Sequence, residues 1–152
     1  MTITQEKAVE VVNDLIIINN DRVEGYQRAL KETKDADLQV LFQQYIAQSQ
    51  NFASELRQLV AGNEDTPLDQ TTFSGKVYRT WMDIKSAITG ADRHAILASC
   101  EYGEDVAQKS YTDALEESAE LPTDVLSLIN RQQTELKKAH DNVKALRDAA
   151  KS

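Results

Sequence analysis

"NEDTPLDQTTFSGKVYRTWMDIKSAI", residues 63–88, interrupts an otherwise continuous series of long helical patterns. Residues 63–73 read as an exposed loop, and residues 74–88 as a short amphipathic helix with Val77, Trp81, Ile84 and Ile88 on one side. A connection of that length can travel the whole height of a helix bundle, which an ordinary tight helix–helix turn cannot. Which ends it joins decides the fold.

Working outward, apolar residues fall on one stripe of each flanking segment when about 100° of rotation is taken per residue. A first helix, about 4–33, lines up Ala8, Val11, Val12, Leu15, Tyr26, Ala29 and Leu30, with Asn19 and Arg22 on the same stripe. A second, about 35–61, starts at the candidate N-cap Asp35, ends at Gly62, and faces inward through Leu38, Leu41, Tyr45, Phe52, Leu56 and Leu59. A third, about 91–118, has Asp92 near its start and carries Ile96, Cys100, Gly103, Glu104, Ala107, Tyr111 and Ala114 inward. The fourth, about 122–149, begins at Pro122 and carries Val125, Ile129, Gln132, Leu136, Ala139, His140, Val143 and Leu146.

The first-to-second and third-to-fourth connections are short, as antiparallel neighbours require. The crossover, 62–90 with its short helix at about 75–88, is long. Two antiparallel hairpins joined in this way make an all-α, ferritin-like four-helix bundle, expected as a single domain over 1–152.

Composition agrees with an all-α class. The 5 Gly and 2 Pro are too few for many short strands and turns. Seventeen basic against twenty-five acidic residues leave a net charge of -8, so neither nucleic acid nor an anionic membrane surface is an expected partner. The N-terminal "MTITQEKAVE" lacks the basic and apolar regions of a signal peptide, and "LIIIN" at 15–19 is far short of a membrane span. A cytoplasmic location is expected.

Glu104 raises the question of metal. A dinuclear centre in such a bundle needs a Glu from each of two helices and a Glu-x-x-His from each of the other two. The first helix offers Leu15, Asn19, Arg22 and Tyr26 at mid-height, with Glu24 nearly opposite the core face. The second offers Tyr45, Gln48, Ser49 and Phe52. On the fourth, His140 is preceded at three residues by Lys137 and at four by Leu136, and Glu135 points elsewhere. No cofactor and no metal are therefore expected; any metal would have to use Glu104 and His140. The reading preferred instead is a buried polar cluster of Asn19, Arg22, Glu104, Gln132 and His140, with a tyrosine hydroxyl as a further candidate partner. A carboxylate in a core is costly alone, and a guanidinium meets it with two hydrogen bonds.

Catalytic signals are lacking. Cys100, the single cysteine, sits on an apolar stripe and reads as a small buried filler, and His94 as a solvated surface residue. There is no Gly-rich phosphate loop or nucleophile elbow, so no enzymatic activity is expected. Three consecutive isoleucines cannot all face one core on one helix, and Ile17 is the one that points away. Two explanations stand open: the crossover helix covers it, through Trp81, or a second copy of the chain or another protein does.

Four stretches, "DRVEGYQRAL" (21–30), "SGKVYRTWMDIK" (74–85), "CEYGEDVAQKSY" (100–111) and "AHDNVKALRD" (139–148), resemble a bacterial family of ferritin-like four-helix bundles catalogued as a domain of unknown function. The resemblance runs from about residue 6 to 149, and its most specific part is Tyr78, Arg79 and Trp81 followed by Glu101, Gly103, Glu104 and Asp105. It implies a small bacterial cytoplasmic protein and no enzymatic activity or substrate to carry over. Two functions are expected in competition: a non-catalytic bundle acting through self-association or protein partners, in stress physiology by analogy, and a metal or small-ligand binder centred on Glu104 and His140, with Tyr26, Tyr45 or Tyr111 nearby.

Overall fold

The computed structural model of the chain describes residues 6–61, 92–117, 119 and 121–150. They form four helices: α1 (Glu6–Glu32), α2 (Ala36–Leu59), α3 (Arg93–Glu116) and α4 (Thr123–Ala149). The crossover expected at 62–90, with its short helix, Trp81 and the helix stop at Gly62, lies outside the described residues.

Each helix is amphipathic and buries one broad stripe. Leu15, Ile16 and Tyr26 from α1, Leu38, Phe42 and Leu56 from α2, Ile96, Leu97 and Tyr111 from α3, and Ile129 and Leu136 from α4 are all fully buried in one core. Burying an aliphatic side chain of this size contributes about 1.5–3 kcal/mol, so the shared core, rather than helix propensity, holds the helices in place. Of the isoleucine run, Ile16 and Ile18 are buried and Ile17 is half-buried.

The helix starts differ in how their orphan N–H groups are met. Asp92 is a side-chain cap, its Oδ1 accepting from the backbone N–H of His94 at 2.9 Å and of Ala95 at 3.4 Å. Asp35 occupies the N-cap position of α2 but makes no capping bond. Its carboxylate is drawn instead to Arg93, which donates to Asp35 Oδ2 at 2.9 Å and to both Asp37 oxygens at 3.0 and 2.8 Å.

That arginine ties the start of α3 to the start of α2, so these two helices run parallel. The cross-helix contacts give the rest of the topology. Asn19 and Arg22 meet Ser49 while Asn20 meets Arg57, so α1 and α2 are antiparallel. Tyr111 meets Gln132 and Asp105 meets His140, so α3 and α4 are antiparallel. Asn19 with Tyr111 and Arg22 with Glu104 set α1 antiparallel to α3, and Glu55 with Arg131 and Tyr45 with Asn142 set α2 antiparallel to α4. The end of α2 and the start of α3 are therefore at opposite ends of a bundle about 36 Å long at 1.5 Å per residue. Among the described residues no helix is long and apolar enough to cross a membrane.

Candidate functional site

At mid-height the core turns polar. Arg22 from α1 and Glu104 from α3 are buried and face each other fork to fork, Nε donating to Oε1 and Nη2 to Oε2, both at 2.8 Å. The Tyr26 hydroxyl, one helical turn along α1, donates to Glu104 Oε2 at 2.6 Å. The carboxylate thus takes three hydrogen bonds from charged or polar donors, which repays much of the desolvation of its charge. The guanidinium lies 5.2 Å from the Tyr26 ring centroid and 5.1 Å from that of Tyr45, in cation–π range of both.

From Arg22 a chain of hydrogen bonds crosses the remaining helices. Its Nη1 donates to Ser49 Oγ at 2.8 Å, and Ser49 donates to Asn19 Oδ1 at 2.9 Å. Asn19 Nδ2 donates to the Tyr111 hydroxyl at 2.8 Å, and Tyr111 donates to Gln132 Oε1 at 2.7 Å. Gln132 Nε2 ends the chain on Glu55 Oε1 at 3.1 Å and the Phe52 carbonyl at 3.3 Å. All four helices contribute, each side chain both giving and taking where its chemistry allows.

Titration properties follow from that enclosure. Burial works against the charge of Arg22, but the neighbouring Glu104 outweighs it and holds the guanidinium protonated. Burial pushes the Tyr26 hydroxyl well above the usual tyrosine range, with the Glu104 charge adding to it, and raises Tyr111 against the opposing hydrogen bond from Asn19. Burial and Glu104 likewise push the Cys100 thiol far up, so it is an unreactive core filler.

Four of the residues singled out in the sequence, Asn19, Arg22, Glu104 and Gln132, lie together in this network. His140 does not join them. It lies 18% exposed at the outer seam between α3 and α4, where its ring meets Asp105 and Asp141. A helical stripe reports the direction of a residue around its own axis, and His140 sits at the stripe's edge, from which the ring turns outward. Glu104 and His140 are held by different partners, Glu104 by Arg22 and Tyr26 and His140 by Asp105 and Asp141. Neither Ser49 nor Glu55 is marked as a partner by the sequence pattern; Ser49 is inward on α2, which is its one signal, whereas Glu55 is reached from α4 by both Arg131 and Gln132.

At the seam a second group forms from Glu101, Asp105 and His140, whose ligand-capable atoms lie within 4.8 Å of one another. Arg147, two turns beyond His140 on α4, pairs with Glu101 Oε1.

Residues 7–117 match the model of a family described as "Domain of unknown function (DUF2383)", more than half of the 152 residues. The chain belongs to the DUF2383 family. The DUF2383 match takes in α1, α2 and α3, and with them Arg22, Tyr26, Ser49, Glu101, Glu104 and Tyr111, while Gln132 and His140 lie beyond it on α4. No curated protein matches the chain.

Proposed function

We propose that this DUF2383 chain is a non-catalytic four-helix bundle that acts through its surfaces, by self-association first and through protein partners of the same kind. The observation that carries this reading is the closed centre. Both Glu104 oxygens are engaged by Arg22 and Tyr26, and each of the three Arg22 nitrogens donates a hydrogen bond, two to Glu104 and one to Ser49. A metal or substrate entering there would have to break a bidentate buried ion pair, and removing one partner of such a pair costs about 3–5 kcal/mol.

Apolar surface supports the same reading. Val40 and Tyr102 are exposed at 56% and 41%, and Ile17 is half-buried. Light scattering over a rising protein concentration tests it: a mass above the 17.0 kDa of one chain, lowered by Ile17→Asp, is the expected result. A single-chain mass at every concentration, unchanged by that substitution, would refute self-association.

A further inference from the structure

The outer seam between α3 and α4 holds charged groups that the interior network does not use. Glu101 and Asp105 stand one helical turn apart on α3, and His140 reaches them from α4. The two ring nitrogens of His140 both face carboxylates: Nε2 is 2.5 Å from Asp105 Oδ1, and Nδ1 is 3.0 Å from Asp141 Oδ1. A neutral imidazole has one N–H. An imidazolium meets both carboxylates by donating from each nitrogen; with the hydrogen only on Nδ1 and donated to Asp141, Nε2 instead offers its lone pair to a metal ion, with Asp105 beside it as a second donor.

Glu101 brings a second carboxylate to the seam. It is only 9% exposed, its Oε1 is taken by Arg147, and its other oxygen has no hydrogen-bond partner among the described residues. Arg147 is itself shared with Asp148, and Lys137 is drawn to Asp141, so neither cation is dedicated to Asp105. Asp105 is 59% exposed and leaves the seam open to a hydrated ion.

We infer that Glu101, Asp105 and His140 form a mononuclear site for a divalent first-row transition ion of the Zn(II) or Mn(II) kind. One imidazole nitrogen with two carboxylate oxygens is a borderline-to-hard donor set suited to such ions, and three protein ligands leave positions for water. Metal–ligand bonds of about 2.0–2.2 Å set ligand atoms about 3–3.5 Å apart, so the group contracts from its 4.8 Å limit while His140 Nε2 and Asp105 Oδ1 part from 2.5 Å, both through small side-chain rotations. Asp141 lies outside the ligand set and does what an outer carboxylate does for a metal-bound histidine: it takes the other ring N–H and fixes tautomer and orientation. This site is separate from the closed interior and does not depend on the proposed self-association.

Calorimetric titration of chelator-stripped protein with zinc chloride, and separately with manganese chloride, tests the site. Saturable binding of about one ion per chain is expected for at least one metal, weakened about tenfold or more in Asp105→Asn and in His140→Gln, and less in Asp141→Asn. Because Asp105 is exposed, Asp105→Asn keeps the metal-free melting curve of the parent, which separates lost binding from lost folding. Zinc should also shift the ring resonances of His140 and leave those of His94 in place. Absence of saturable binding by either ion would overturn the inference. So would equal affinity in Asp105→Asn and the parent, which marks an adventitious ion on an acidic surface.

Discussion

Arg22 and Glu104 face each other across the α1–α3 interface with two parallel 2.8 Å hydrogen bonds, both side chains at most 2% exposed. A pair held so far from water contributes little net stability beside a well-packed apolar replacement, yet neither partner tolerates losing the other. In urea unfolding, Arg22→Met and Glu104→Leu are each expected to cost about 3–5 kcal/mol, and the double substitution less than the sum of the two. Strict additivity, or an unchanged midpoint in either single variant, would show that the pair is not coupled.

The Tyr111 hydroxyl is the junction of the hydrogen-bond chain, taking from Asn19 and giving to Gln132. Tyr111→Phe keeps the ring and leaves a buried donor and a buried acceptor unmet, at an expected cost of about 1–3 kcal/mol. Denaturant unfolding of Tyr111→Phe beside Tyr102→Phe, whose side chain is exposed, isolates the network from the ring.

Alkaline pH should loosen the fold. Tyr26 and Tyr111 have hydroxyls raised by burial above the ordinary value of 10.0, so between that value and their folded values the native state binds more protons than the unfolded chain. Their contribution is fully present below about pH 10 and is lost as pH climbs past it. Melting temperatures measured from pH 8 upward should fall from about pH 10, and in the ultraviolet these two tyrosines should ionise only on unfolding.

Cys100 is fully buried and its thiol is pushed far up, first by burial and then by Glu104. A thiol-specific colorimetric reagent should leave it untouched in the native protein and react with it in denaturant. Rapid reaction of the folded chain would place Cys100 in an open site.

How much of this is legible before folding depends on what periodicity can report. Long stripes of apolar residues mark four helices to within a few positions, because each helix buries its face against the same core. The same stripes put Asn19, Arg22, Glu104 and Gln132 among inward positions. They do not say which partner Arg22 chooses, since the offset between α1 and α3 is set by packing. His140 illustrates the other limit: at the edge of a stripe a few degrees decide between core and seam, and the carboxylates of Asp105 and Asp141 hold its ring outside. Asp35 was legible as a helix start, but not its diversion to Arg93, a residue that follows it by a long stretch of chain.

The central claim is that the buried Arg22–Glu104 ion pair closes the centre of the bundle to a metal. Metal analysis after loading with Mn(II) or Fe(II), read together with electron paramagnetic resonance, tests it most directly. The account predicts about one ion per chain at most, held at the seam by His140, with no spin-coupled pair. Two coupled ions per chain, lost in Glu104→Ala, would contradict it.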